Sequence, residues 1–431
     1  MIKFFHTADI HLGVENYGKV DSKTGMHSRL LDFRSSLKQC VDSAIKRKID
    51  FFLFCGDAYK TAFPTPTQQK LLMREFFKLQ EAGIPIVSVV GNHDHPLSFG
   101  KSNSLEVFEY LPLEGLYVFS KPEILKLNTK NGPIQIVGIP WPTRNNIISE
   151  KKFHLKNSKE ITQYLSDAVT QIINNLANKL DKNIPSILAG HLTVSTGIFS
   201  GSEKCAVFGN DPVFLPSQLA LPEFDYVALG HLHRHQNLNK NGYPAVVYSG
   251  SIERVDFGER KEKKGYCSVS IDTNKNSERC NFDFIELKTR PMIQIEIKLK
   301  DEGNQTEQIL KSIKKYDIKD SILKIIYHIP DNKKDNVDLQ EIQSVCTSAL
   351  CLVSIVPVRK NLLRETRANL NVDMDIKTLL EKYLDTKEYS DKHKKEIIKK
   401  AKELYKSSQG EEEIFFDIPK IDKTKVKQLD V

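Results

Sequence analysis

Short apolar runs, each closed by a glycine and then by a polar or imidazole side chain, recur along the first half of this chain. Ile84 to Val90 stops at Gly91 and continues as Asn92-His93-Asp94-His95-Pro96. Phe51-Phe52-Leu53-Phe54-Cys55 leads to Gly56-Asp57, Ile187-Leu188-Ala189 to Gly190-His191, and Tyr226-Val227-Ala228-Leu229 to Gly230-His231. Runs of this length suit buried strands, and a glycine at the end lets the backbone turn sharply at the carboxyl edge of a sheet, where open α/β sheets place their ligand sites. Ile2 to His6 predicts a further buried strand, ending in Thr7-Ala8-Asp9-Ile10-His11.

Helical spacing separates these runs. Leu30, Leu31, Phe33, Leu37, Val41, Ala44 and Ile45 predict an amphipathic helix over about residues 27–48, a crossover that implies parallel strands. Pro64 and Pro66 lead into a second helix from about Thr67 to Glu81, whose stripe Leu71, Leu72, Phe76 and Leu79 reads as core, with a dimer seam as the other reading. Ser104 to Tyr110 suggests a short helix, and Leu116 to Pro140, broken at Asn131-Gly132-Pro133, suggests a hairpin that builds a second sheet. A long helix over Ser158 to Leu180 and a Gly/Ser-containing loop at 193–217, able to reach over a site, precede the last strands. The fold class expected is α/β: a two-sheet sandwich flanked by helices over residues 1–290.

The pattern changes at Thr289-Arg290-Pro291. Ile293 to Leu299, Ile309 to Ile313, Ile322 to Ile329 and Leu352 to Val358 predict a small α+β domain over 291–370 that carries no ligand cluster. In the segment 371–408, Ile376, Leu379, Leu380, Tyr383 and Leu384 form one helical stripe and Ile397, Ile398, Ala401, Leu404 and Tyr405 another. Such short amphipathic helices must bury their stripes on the chain's own domain or on a partner. Residues 409–431 read as a tail.

A length of 431 residues fits two or three domains. The net charge of +8 suits a polyanionic partner but equally a solvated lysine surface. Seven scattered cysteines without a Cys-x-x-Cys pair argue against a disulfide framework and a zinc ribbon, and fit a reducing compartment. No apolar run approaches the ~18 residues of a membrane span, and Met1 to His6 lacks a signal-peptide core, so the expected location is cytoplasmic with no membrane partner.

The candidate chemistry lies at the strand ends. Asp9 and His11, two apart in extended chain, share a face. With Asp57, Asn92, His93, His191, His231 and His233 they form a recurring set just beyond predicted strands, whereas any one of these histidines alone would read as structural. His6, His27, His154, His235 and His328 lack that context, and the role of His95 stays open. Asp, Asn and His donors without thiolate suit Mn²⁺, Fe²⁺ or Mg²⁺. The number of donors suits two ions sharing Asp57, a design that activates water and neutralises phosphate-ester oxygens, with an unligated imidazole serving the leaving group.

Asp9-x-His11, Gly56-Asp57, Gly91-Asn92-His93-Asp94, Gly190-His191 and Gly230-His231-x-His233 resemble the calcineurin-like metallophosphoesterases. The run His6 to Gly13, the run Tyr248 to Glu259 and the Thr289-Arg290-Pro291 junction look like the SbcD-type nucleases of that superfamily, strongly over residues 1–290 and weakly beyond. The resemblance implies one manganese on Asp9, His11, Asp57 and His233, a second on Asp57, Asn92, His191 and His231, and His93 as catalytic imidazole positioned by Asp94. It also implies a homodimer, a capping domain at 291–370 that touches DNA, and helices at 371–408 that dock an SbcC-type SMC-like ABC ATPase. The implied activity is exonuclease and endonuclease cleavage of DNA (duplex ends, hairpins, single strands) in double-strand-break repair. Lys60 departs from the pattern, because many relatives carry a histidine three residues after the bridging aspartate. The competing readings are a phosphatase or nucleotidase with the same metal core, against which stand the missing Asp-Arg-Gly and the extra modules, and a DNA-end-tethering scaffold with a decayed metal site.

Overall fold

The structure, a computed structural model, describes residues 1–96, 101–110, 114–143, 158–201, 211–275, 277–331, 333–359, 380, 381, 384 and 391–409. Met1–Val358 is one compact unit and Arg359–Val431 another. The first unit opens with β1 (Ile2–Thr7), α1 (Ser28–Arg47), β2 (Phe51–Phe54), α2 (Pro66–Glu81), β3 (Ile86–Val89) and β4 (Leu116–Phe119). β5 (Glu123–Thr129), β6 (Gly132–Ile139), α3 (Ser158–Ala177), β7 (Ser186–His191), β8 (Thr193–Val194), β9 (Val213–Phe214), α4 (Pro216–Leu219) and β10 (Tyr226–Gly230) follow. β11 (Gln236–Asn237), β12 (Ala245–Tyr248), β13 (Gly265–Ile271) and β14 (Cys280–Glu286) complete the strands of the two large sheets.

One sheet runs β14-β13-β1-β2-β3-β4, parallel from β1 to β4; the other runs β11-β12-β10-β7-β6-β5, parallel from β12 to β6. Their inner faces meet in a core that includes Phe4, Phe51, Leu53, Val87 and Val89 against Ile136, Ile187, Ala189, Ala228 and Val247. Because side chains alternate along a strand, Phe5, Phe52 and Phe54 face outward, where α1 and α2 cover them, and α3 covers the other sheet. The result is the expected α/β sandwich of two sheets flanked by helices.

Several boundaries differ from the sequence reading. Thr65 caps α2 in a capping box with Gln68, which starts the helix at Pro66. Its stripe Leu71, Leu72, Phe76 and Leu79 lies in the chain's own core, so the core reading describes it. Leu116–Phe119 joins the first sheet beside β3, and only β5 and β6 form the hairpin of the second. As an edge strand buried only at Phe119, β4 carries too weak an apolar pattern to reveal its sheet. The 193–217 loop falls partly outside the described residues.

Beyond Arg290, β15 (Met292–Lys298), α5 (Gln305–Ile313), β16 (Ile322–Ile329), α6 (Leu339–Val345) and β17 (Cys351–Arg359) build a three-stranded sheet in the order β15-β16-β17, with a core of its own. The junction is locked by charge. Arg290 grips Asp32 of α1 through Nε and Nη2 at 2.7–3.0 Å, and Arg29, fully buried, donates to the same carboxylate at 2.9 Å. In the second unit α7 (Asp391–Gln409) carries the later helical stripe. Most of the earlier stripe, and the tail, lie outside the described residues.

Candidate metal centre

The parallel strands of both sheets deliver their carboxyl ends to one place. Asp9 and His11 follow β1, Asp57 follows β2, Asn92 and His93 follow β3, His191 ends β7, and His231 and His233 follow β10. β1, β2 and β3 are neighbours in one sheet, and β7 and β10 are neighbours in the other. Three groups of donor atoms lie within 4.8 Å of one another: Asp9, His11 and His233; His11, Asp57 and His93; Asp9, Asp57 and His191. Every predicted ligand is at this edge.

Glycines make the approach possible. A Cβ on Gly91 would stand 2.2 Å from Asp57 Oδ1, and one on Gly230 would stand 1.9 Å from the Cys55 carbonyl oxygen across the two sheets. Backbone amides then aim the acids: His93 N–H donates to Asp57 Oδ1 at 2.9 Å, and His231 N–H donates to both oxygens of Asp9 at 3.1 and 3.2 Å. Asp57 Oδ2 lies 3.7 Å from His11 Nε2 and 3.4 Å from His191 Nε2, between the two sets of donors.

The donor set suits divalent cations. His191 Nδ1 donates to the Cys55 carbonyl at 2.8 Å, which leaves Nε2 bare in the neutral ring. That bare nitrogen nevertheless faces Asn92 Oδ1 at 2.9 Å and the Asp57 carboxylate, an arrangement that repels unless positive charge lies among them. Burial opposes protonation of His191, yet the Asp57 carboxylate outweighs it and lifts the pKa to about 9. Burial raises Asp9 to about 6, with His191 and His233 pulling it back, and burial holds His11 and His231 well below the usual histidine range. His231 Nε2 is buried without a hydrogen-bond partner, and its Nδ1 lies 3.2 Å from Asn92 Oδ1. The site therefore offers nitrogen lone pairs and carboxylates in a field that favours cations.

His93 Nδ1 donates to the Lys60 carbonyl at 2.9 Å, leaving Nε2 as its other nitrogen. Thus the backbone of Lys60 orients the imidazole while its side chain is exposed. Asp94 acts differently from the expected positioner of the His93 ring. Its buried carboxylate accepts from the amides of Asp57 (2.8 Å), Ala58 (3.0 Å) and Gly91 (3.1 Å) and from Ser104 Oγ (3.2 Å), so it ties the Asp57 and Gly91 loops together. Converging backbone donors capture it because no neutral side chain could satisfy them all. Burial, then the Asp57 charge, push its pKa up to about 7. His95 Nδ1 donates to the Pro96 carbonyl at 2.9 Å.

Two residues at the site escaped the sequence reading. Trp141, the only tryptophan, lies tilted by 33° against His231 at 4.9 Å between ring centroids and 5.9 Å from His191. Glu259 accepts from His233 Nδ1 at 2.7 Å. Glu259 was visible only as the last residue of the Tyr248 to Glu259 run; nothing pointed to Trp141.

Residues 2–235 match the family model of the calcineurin-like phosphoesterases. The SbcD chain of the nuclease SbcCD from Staphylococcus epidermidis is 30% identical over 316 residues, which covers 73% of this chain and 75% of that protein. A crystal structure of a dimetal phosphatase from Danio rerio matches with a TM-score of 0.37 and 10% identity, over 62% of this chain and 92% of that one.

Proposed function

Since the chain belongs to the calcineurin-like phosphoesterases, in the family of the SbcD nucleases, and is a metal-dependent hydrolase of phosphoesters, we propose that it is a DNA exonuclease and endonuclease. Asp9, His11, Asp57 and His233 would hold one divalent ion, manganese by preference, and Asp57, Asn92, His191 and His231 a second. Such ions supply Lewis acidity at the phosphoryl group and lower the pKa of attacking water. Asp57 would be shared, and its position between the two donor sets is the observation that carries the reading. His93, held through Nδ1, has Nε2 for proton transfer to the leaving 3′ or 5′ oxygen. Asp94 keeps the Asp57 and Gly91 loops in register. Lys60, where many relatives carry a histidine, could still contact a phosphate oxygen but would not shuttle protons as an imidazole does.

By the same reading, residues 291–370 cap the site and touch DNA, 371–408 dock an SbcC-type SMC-like ABC ATPase, and the enzyme works as a cytoplasmic homodimer in double-strand-break repair. No described helix is long and apolar enough to cross a membrane. The test is incubation with linear duplex DNA and Mn²⁺ beside a generic phosphate monoester. Manganese-dependent shortening of the DNA, abolished by a chelator, is expected. Fast monoester turnover with intact DNA would instead identify a phosphatase or nucleotidase.

A further inference from the structure

We propose that the turn Phe257–Glu259 is a positioning element that couples the small three-stranded domain to the cation affinity of His233. This rests on the reading of His233 as a ligand. One end of the turn holds the histidine. Glu259 is fully buried, and its Oε1 accepts from His233 Nδ1 at 2.7 Å while Oε2 accepts from the Val255 amide at 3.0 Å and pairs with Lys264 Nζ at 2.8 Å. Lys264, itself buried, also donates to the His233 carbonyl at 2.9 Å. Ring and backbone of His233 are thus gripped by one ion pair. A carboxylate on Nδ1–H fixes the tautomer that leaves the Nε2 lone pair, 3.0 Å from His11 Nε2, directed into the cluster and raises its basicity, and losing such a partner ordinarily costs about 10–100-fold in metal affinity.

The other end of the turn is seated on the small domain. Phe257 packs with Met292 and Ile322, with Tyr17 and Val353 partly buried against them, so β15, β16 and β17 all contribute. The Tyr17 ring is 5.3 Å away, edge to face, and Lys324 Nζ lies 5.8 Å over the Phe257 ring. Between the two ends stands only Gly258. There a Cβ would come within 2.5 Å of Gly201 Cα, and the amide donates to the capping carboxylate of Asp256 at 2.6 Å. A turn so short, capped and enclosed moves as one body. A shift of the small sheet at Phe257 is therefore passed to Glu259 and on to His233.

The experiment is calorimetric titration of the full-length chain with Mn²⁺ alone, alongside quenching of Trp141 fluorescence, which reads the donors at His191 and His231. His233→Ala should weaken one manganese site; if it does not, the ligand reading fails. Given that loss, Glu259→Gln should weaken the same site by about 10–100-fold, with Glu259→Asp recovering part of it and the Trp141 quenching curve moving less than threefold. Wild-type affinity in Glu259→Gln would overturn the positioning role. For the coupling, Ile322→Ala, remote from the donors, should weaken that site several-fold more than Ile309→Ala, an equally buried truncation in the small domain's own core. Equal effects of the two truncations would overturn it.

Discussion

Asp9, His11, Asp57 and His231 hold φ angles of 52, 49, 60 and 103°, where a non-glycine residue costs about 1–3 kcal/mol. Four such residues among the proposed ligands mean that the fold tolerates local strain to aim donor atoms inward. Asn accepts left-handed backbone at least as readily as Asp, so Asp57→Asn strains nothing locally, but it removes the charge that pairs with the buried His191 and should lower the apo-protein's melting temperature. It should also abolish the rise in melting temperature on adding Mn²⁺, and an undiminished rise would remove Asp57 from the shared position. His93→Asn should lower the rate of DNA cleavage by about 10²–10⁴-fold with manganese affinity nearly unchanged, as expected of a proton donor. Loss of manganese in that variant would make His93 a ligand, the role its grouping with His11 and Asp57 also permits. Away from the donors, burial holds His6 at about 3 instead of 6.5, with Nε2–H donating to the Leu229 carbonyl and the Tyr226 hydroxyl facing Nδ1. A depressed histidine contributes stability that is complete above pH 6.5 and drains away as pH falls toward 3, to a total of about 5 kcal/mol. His6→Gln should flatten that part of the stability profile, checked by urea unfolding between pH 7 and 4.

At the scale of elements, the glycine that ends each apolar run is the point where two strand ends or two sheets press together. Gly91→Ala would force its loop off Asp57, an overpacking worth about 1–3 kcal/mol in stability and more in function, because the displaced group is the shared carboxylate. Thermal unfolding should report a modest drop, while Mn²⁺ should no longer quench Trp141 at concentrations that saturate the wild type. The run Tyr248 to Glu259 and the Thr289-Arg290-Pro291 junction belong to one network. Arg29 donates to the Arg254 carbonyl, Arg254 Nη1 reaches Thr289 Oγ1 at 2.5 Å, and Arg290 closes on Asp32. Two stretches that looked independent in the chain are neighbours in space.

Over the whole molecule, the proposed ligands and the proposed docking helices occupy separate stretches. Every proposed ligand precedes residue 234, whereas the segment 371–408 belongs to the Arg359–Val431 unit. Each Leu or Ile that those helices bury on a coiled coil would contribute about 1.5–3 kcal/mol, so a handful offsets the cost of association. Truncation after Asn371 should leave manganese-dependent cleavage of short single-stranded DNA nearly intact and abolish co-purification with the ATPase. Unchanged ATPase binding, or loss of the nuclease activity, would place those helices in the catalytic unit instead.

The apolar runs, their terminal glycines and the eight candidate site residues that the fold gathers at one edge were legible in the chain itself, because a strand buried on both faces must be continuously apolar and a polar side chain at its end must interrupt it. The helix stripes were legible for the same reason of periodicity. What the chain could not disclose is contact between segments distant in sequence. Nothing local marks Asp94 as the clasp of two loops, Trp141 as a neighbour of His231, or Leu116–Phe119 as an edge of the first sheet. Glu259 meets His233 across 26 residues of chain, a contact that exists only once β10, β12 and β13 have found their places in the sheets. Hydrophobic period writes the elements into the sequence, whereas the packing of two sheets decides which carboxylate meets which imidazole.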